Sequence, residues 1–415
     1  MCGNEKSTMR YQTVKGMRDF FPEEQARRLQ VLDAIRSIFV KWGYVPLDTP
    51  ALESFGLLAA KGGGGEEIKK EIYYFKDQGK RELGMRFDLT VPAARFVSQN
   101  SNLPKPFKRY QMGKVWRYDQ PQKGRFREFM QTDVDIFGSP SPKADAEIIA
   151  VACDVFKELG FKNFSIRVNN KNILDYFVRN LGIDEPVKIF RAIDKLDKIG
   201  KLGVERELLK VIDKKKTNEI LKFITSKKIP FCEGKDELER VVKEVEKLGF
   251  KDNVKIDLSL VRGLEYYTST VFEVSVGKQW SVAGGGRYDN MVQKIGGQAT
   301  PAVGISLGFE RIMEVMKEEK MFTQDKKVIF VAAVNENLGK EVIKIANKLR
   351  EDFSVETDVM GRNLKKQLNY VSVRGLPYCI IVGEKELREE KVVLRDMMTG
   401  KEKQVRISRL LIELK

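Results

Sequence analysis

The segment REFMQTDVDIFG, residues 127–138, constrains the fold more than any other stretch of the chain. Side chains of a β-strand alternate between its two faces. Arg127, Phe129, Gln131, Asp133, Asp135 and Phe137 therefore share one face, while Met130, Thr132, Val134 and Ile136 share the other. The second face suits a hydrophobic core. The first puts a cation, an amide and two carboxylates in a row, which a packing surface does not accept without partners.

The surrounding sequence supplies the rest of a mixed architecture. Residues 106–138 form two strands around a polar loop. Residues 23–42 place Leu29, Leu32, Ile35, Phe39 and Trp42 at helical spacing, and Pro22 sits where a first-turn proline belongs. The run VPLDTPALES that follows is extended, because Pro46 and Pro50 exclude a helix interior. KGGGG at 61–65 predicts a turning loop. A helix over 145–159 leads into a strand, FSIRVN. From about 171 to 250 the sequence turns lysine-rich and helix-periodic, the texture of a helical insertion. Strand texture returns in VRGLEYYTSTVFEVSV. A glycine run, AGGGRYDN, and a strand-to-helix junction, AVGISLGFERIMEVM, come next. The polar stretch KEEKMFTQDKK predicts a linker, which leaves residues 1–320 as one domain. Strands and helices alternate over 328–415, the pattern of a separate small α/β domain.

Composition narrows the chemistry. The chain of 415 residues contains no histidine. Imidazole is the commonest general base and metal ligand near neutral pH, so Ser-His and Cys-His nucleophiles, His-zinc sites and His phosphocarriers are all excluded. The four cysteines, Cys2, Cys153, Cys232 and Cys379, lie far apart. That spacing argues against a zinc or disulfide framework and fits a reducing cytoplasm. The N-terminal residues lack the apolar core of a signal peptide, and no stretch is apolar for long enough to span a membrane. A net charge of +16 attracts polyanions. A merely lysine-rich, soluble surface would give the same number, so charge alone leaves the partner open.

Four arginines have unusual neighbours: Arg117 ending KVWRY, Arg125 in DQPQKGRF, Arg262 in VRGLEYY and Arg311 in GFER. A guanidinium is always charged, and its planar fork matches phosphate oxygens. Singly, each could be a surface ion pair. Together, near a glycine-rich floor, they could clamp a triphosphate.

Five segments in this order carry a resemblance. GYVPLDTPALES, KVWRYDQPQKGRFREFMQTDVDIFG and VGISLGFERI are similar to motifs 1, 2 and 3 of class II aminoacyl-tRNA synthetases. VRGLEYYTSTVFEV and AGGGRYDNMV resemble the two histidine-specific motifs of the histidyl-tRNA synthetase family. MRFDLTVPAAR resembles that family's archaeal and eukaryotic form.

The resemblance implies an α+β fold: a catalytic domain with a six- or seven-stranded antiparallel sheet flanked by helices, a helical insertion, and a C-terminal α/β anticodon-binding domain. It implies a ligase that uses ATP and Mg2+ to activate L-histidine and then charges tRNA(His). It also implies a homodimer in the cytoplasm. By the same resemblance Arg117 and Arg262 flank the α-phosphate as catalytic groups, while Arg125 and Arg311 hold the outer phosphates. Asp88, Thr90 and Gln131 would take the α-amino group. Asp135 and Tyr267 would take the imidazole, with Tyr288 lining the pocket. No protein side chain is implied as a metal ligand. Two points stay open: Asp133 could simply pair with a nearby cation, and one of Tyr266 and Tyr267, alternating along a strand, should serve the core. The rival reading is an inactive paralogue that regulates an ATP phosphoribosyltransferase or senses tRNA.

Overall fold

The computed structural model describes residues 11–60, 69–122, 124–226, 228–262, 266–277, 280–322 and 328–414. The KGGGG segment, Gly263–Glu265 of VRGLEYY, and residues 323–327 of the expected linker lie outside them. The chain divides into two compact units after Phe322.

In the first unit, helix Pro22–Lys41 has Pro22 in its first turn with Glu23 and Glu24, and Lys41 in its last. Those charges complement the helix dipole. Its buried stripe is Arg28, Val31, Ile35, Ile38 and Phe39, whereas Leu29 is half exposed. Ile35 and Phe39 are buried as expected and Leu32 and Trp42 pack at the core's margin, but at the N-terminal end Arg28 takes the core face in place of Leu29. Its guanidinium forks onto both oxygens of Glu310 at 2.7 Å.

The strands of this unit are β1 (Val45–Pro46), β2 (Leu52–Ser54), β3 (Tyr74–Lys76), β4 (Glu82–Met85), β5 (Phe107–Trp116), β6 (Glu128–Phe137), β7 (Phe164–Asn170), β8 (Val254–Ile256), β9 (Thr270–Val276), β10 (Trp280–Arg287) and β11 (Ala302–Leu307). Strands β2, β4 and β3 make a small sheet. The remainder form one eight-stranded sheet in the order β1-β5-β6-β11-β10-β9-β7-β8. The central six are antiparallel, while β1 and β8 run parallel to their neighbours at the two edges. The sheet is thus wider than the expected six or seven strands and mixed at its margins. The added edge strands are two and three residues long, too short to leave a period-2 pattern.

One face of the sheet is dry. Val134 and Ile136 join Ile166, Val168, Val303 and Ile305 beneath helix Pro142–Glu158, which buries Ile148, Ile149, Val151, Val155 and Phe156. That helix starts at a Ser141 cap with Pro142 in its first turn, three residues before the sequence periodicity becomes visible. Between β7 and β8 run five helices, Lys171–Asn180, Pro186–Ile193, Leu196–Leu209, Lys214–Ile224 and Glu233–Lys247. They are the helical insertion, and their apolar stripes continue the same core.

The second unit holds β12 (Val328–Ala333), β13 (Ser354–Thr357), β14 (Tyr378–Val382), β15 (Lys391–Asp396) and β16 (Glu402–Arg406). They pair in the order β13-β12-β14-β15-β16, with β13, β12 and β14 mutually parallel and β15 and β16 added as an antiparallel hairpin. Alternate residues of β12 enter different cores: Ile329 and Val331 pack with helix Gly339–Leu349, Phe330 and Ala332 with helix Leu364–Val373.

A buried ion pair fastens β10 to the first turn of helix Pro142–Glu158. Arg287 engages the Asp145 carboxylate and donates to the Ser139 and Ser141 carbonyls at 2.9 and 3.2 Å. Both side chains are nearly inaccessible. Replacing Arg287 with alanine would strand Asp145 without its cation, so Arg287→Ala should destabilise this unit by about 3–5 kcal/mol. The check is the denaturant midpoint at constant m-value; a change below about 1 kcal/mol would contradict the assignment.

Candidate active site

On its other face the sheet floors a cavity of about 540 Å³. All ten side chains singled out in the sequence line it: Asp88, Thr90, Arg117, Arg125, Gln131, Asp135, Arg262, Tyr267, Tyr288 and Arg311. The register explains why. β6 pairs with β11 so that Asp135 faces Gly304 and Asp133 faces Ser306. A Cβ on Gly304 would overlap the Asp135 carboxylate, one on Gly284 the Arg262 guanidinium, and one on Gly286 would press on the Tyr267 ring. The glycine run is therefore not a loop. It belongs to strand β10, where the missing side chains leave room for functional groups reaching in from elsewhere.

One end of the cavity is anionic. Asp135 Oδ2 pairs with Arg109 at 2.6 Å, and its Oδ1 accepts from the Tyr288 hydroxyl. Burial, and then the Asp135 charge, hold that hydroxyl well above the usual tyrosine range, so it stays a neutral donor. Phe137 meets the Tyr288 ring edge-on at 6.1 Å. Gln131 Nε2 donates to Ser306 Oγ at 2.7 Å. Asp88 Oδ1 accepts from the Val91 amide at 3.0 Å, at the start of helix Thr90–Gln99, which fixes its carboxylate at the cavity wall. Tyr266 and Tyr267 both line the cavity, with ring centroids 4.1 Å apart. They precede β9 in an irregular segment rather than alternating along a strand, and Tyr267 also packs in a buried cluster with Phe137, Leu260 and Tyr288. The open question about Asp133 also resolves: the guanidinium nearby, Arg109, bonds Asp135.

The other end is cationic. Arg117, just beyond β5, donates through Nε to the Phe87 carbonyl at 3.0 Å and lies over the Phe129 ring. Arg125 pairs with Asp119 at 2.8 Å and is half exposed. Arg311, in the first turn of helix Phe309–Glu318, donates to the Ser281 carbonyl at 2.8 Å. Arg262 engages Glu273 through Nε and donates to Ser281 Oγ at 2.9 Å. The Arg311 guanidinium is pulled below its ordinary value by burial first, then by Arg262 and Arg125, with Arg117 adding to the effect against the opposing pull of Glu273. Cations held this close repel one another, and a polyanion between them relieves the repulsion.

Several contributors escaped the sequence reading. Glu273 is buried on β9 and bridges Arg262 to Arg167, which also meets Asp197 of the insertion at 2.7 Å. A glutamate between Phe272 and Val274 in the apolar run VFEVSV is the signal that could have marked it. Arg109, wholly buried, sits opposite Asp135 across β5 and β6. Glu310 holds Arg28 and Arg18 and accepts the Met130 amide at 3.2 Å, tying the helix that carries Arg311 to β6. Among the described residues no cluster of three or more cysteine or carboxylate side chains is arranged to hold a metal.

A six-stranded antiparallel floor with arginines at one end and an acidic amino-acid-sized recess at the other defines the catalytic domain of a class II aminoacyl-tRNA synthetase. Comparison with known proteins gives the family. A family model for histidyl-tRNA synthetase matches residues 16–312, and one for an anticodon binding domain matches 328–415. The chain is 39% identical to a histidine–tRNA ligase of Clostridium tetani, covering 95% of this chain and 96% of that protein. It is 38% identical to one of Methanocaldococcus jannaschii, covering 96% and 98%. A crystal structure of histidyl-tRNA synthetase from Nostoc superposes with a TM-score of 0.85 at 31% identity over 98% of this chain and 99% of that one. The chain belongs to the histidyl-tRNA synthetase family.

The mutual repulsion of the four arginines predicts anion binding without any other substrate. Inorganic tripolyphosphate should raise the melting temperature of the first unit. Arg311→Ala should weaken its binding by roughly 10- to 100-fold, as loss of one charge-assisted contact does. An equal thermal shift in the variant and the wild type would remove Arg311 from the anion site.

Proposed function

We propose that the chain is a histidine–tRNA ligase that activates L-histidine with ATP and transfers it to the 3′ end of tRNA(His). One observation carries this reading: a single cavity has a cationic half lined by four arginines and an acidic half lined by hydrogen-bonding groups. In the first step a histidine carboxylate oxygen attacks the α-phosphorus. The bond from that phosphorus to the bridging oxygen breaks, and pyrophosphate leaves with the electron pair. Two anions meet in this step, so fixed cations aimed at the developing charge supply most of the acceleration. Arg117 and Arg262 serve the α-phosphate; Arg125 and Arg311 hold the outer phosphates. Magnesium enters with ATP, carried on its phosphate oxygens.

Asp88, Thr90 and Gln131 take the α-amino end of the substrate. Asp135 and Tyr267 take the ring, with Tyr288 bracing Asp135. A pocket that hydrogen-bonds the ring rejects apolar isosteres by roughly 10⁴-fold or more, because its own polar groups would be left unpaired. In the second step the terminal ribose hydroxyl of tRNA attacks the adenylate carbonyl and AMP leaves. A phosphate oxygen of the adenylate takes the hydroxyl proton, a route that needs no imidazole base from a chain that has none.

Residues 1–320 act as the catalytic domain, with the insertion at about 171–250, and residues 328–415 bind the anticodon arm. We place the enzyme in the cytoplasm as a homodimer formed through the motif 1 region. No helix among the described residues is long and apolar enough to cross a membrane. The inactive-paralogue reading is disfavoured by the presence of all four arginines in one cavity.

Charging of tRNA with labelled histidine tests the proposal. Arg262→Ala should lower the activation rate by on the order of 10²–10³ with an unchanged melting temperature. Glu273→Gln, which frees Arg262 to move, should cost on the order of 10²-fold in rate while histidine affinity holds. Near-wild-type rates in Arg262→Ala would take Arg262 out of the mechanism.

A further inference from the structure

Asp133 lies between the groups assigned to the ring and those assigned to the α-amino end, and so far it has neither role. It sits on β6 two residues from Gln131 and two from Asp135, lines the cavity, and is only 1% exposed. Its Oδ2 is 3.4 Å from Gln131 Nε2, and the nearby Ser306 hydroxyl favours its charged form, but its Oδ1 is buried with no hydrogen-bond partner. Gln131 Oε1 is in the same condition. A buried acceptor without a donor is costly, and in a binding cavity the missing donor is the ligand's to supply. Two such acceptors on one face of one strand call for a group with several N–H donors and no acceptor. An ammonium has three. A neutral imidazole has a single N–H, which Asp135 and Tyr267 already serve.

We propose that Asp133 Oδ1, alongside Gln131 Oε1, receives the α-ammonium group of the bound amino acid. This role rests on the histidine-binding reading above and adds a fourth anchor to Asp88, Thr90 and Gln131. It also explains why a second carboxylate is tolerated two residues from Asp135 when the Arg109 cation already belongs to Asp135: the substrate brings the missing positive charge.

A proton linkage follows. The charged and titratable groups that face Asp133 are Asp135 on its own strand, Arg109 on β5, Asp88 ahead of helix Thr90–Gln99, and the hydroxyls of Tyr266 and Tyr288. Burial first, then Asp135, push its carboxyl up to about 7 against the pull of Arg109. In the empty site Asp133 therefore holds its proton to a higher pH than an ordinary aspartate. An arriving ammonium favours the ionised form, so binding expels that proton. Release should grow as the pH falls from neutral toward 6 and fade on the alkaline side.

Calorimetric titration of the full-length protein in two buffers of different ionisation enthalpy counts those protons. L-histidine is compared with imidazole lactate, which keeps the ring and carboxylate but carries a hydroxyl in place of the ammonium. Near neutral pH the wild-type protein should release more protons on binding histidine than Asp133→Asn does, a comparison on one ligand in which the ring's own titration cancels. Asp133→Asn should also weaken histidine by roughly 10- to 100-fold while leaving the lactate's affinity unchanged. Equal proton counts for histidine on the two proteins would overturn the proposal. So would a loss of lactate affinity in Asp133→Asn as large as the loss for histidine, since that would place Asp133 against the ring. A wild-type protein that binds no histidine at all would instead overturn the histidine reading itself, and this proposal with it.

Discussion

The site depends on a lane of the sheet that has almost no side chains. Because β6 pairs with β11, and β11 with β10, the acidic face of β6 looks across Gly304 toward Gly284 and Gly286. Without that lane, Asp135, Arg262 and Tyr267 would meet β-carbons instead of a ligand. The same register places the opposite face of β6 in the dry core under helix Pro142–Glu158. One strand thus separates packing from chemistry, and a slip of one residue would put Asp133 and Asp135 into that core.

The two ends of the cavity have opposite electrostatic problems, and the substrates answer both. At one end arginines crowd together, so that Arg311 feels Arg262 and Arg125; the proposed triphosphate would supply the compensating charge. At the other, carboxylates outnumber nearby cations, and Asp133 remains buried with an unsatisfied oxygen. The proposed pose, carboxylate toward the arginines and ammonium toward β6, would follow the field between the two ends. Glu273 limits how far Arg262 can follow its ligand, since its carboxylate is shared with Arg167. The link from Arg167 to Asp197 connects the helices between β7 and β8, through Glu273, to Arg262.

Much of this was legible in the sequence, for identifiable reasons. Strand alternation in REFMQTDVDIFG separated the site face from the core face, because a strand has a strict period of two. The arginines stood out by their neighbours, but their convergence could be inferred only through resemblance to a family, since residues 117 and 311 come together by sheet order and not by spacing. Edge strands of two and three residues left no pattern. Arg28 was missed because a charge on a core face makes sense only once Glu310, 282 residues away, is seen to hold it. Arg109 and Glu273 were missed for the same reason: each is a buried charge whose partner lies on another strand. Tyr267 does join a buried cluster, but the strand alternation expected of Tyr266 and Tyr267 is absent because the segment before β9 is irregular.

The central claim is that this cavity joins histidine to the α-phosphate of ATP. Histidine-dependent exchange of labelled pyrophosphate into ATP tests it most directly, because exchange requires the adenylate to form and reverse without tRNA. With each of the twenty amino acids supplied in turn, the account predicts exchange with histidine alone. Folded protein that exchanges with none of them, or that prefers another amino acid, would contradict it.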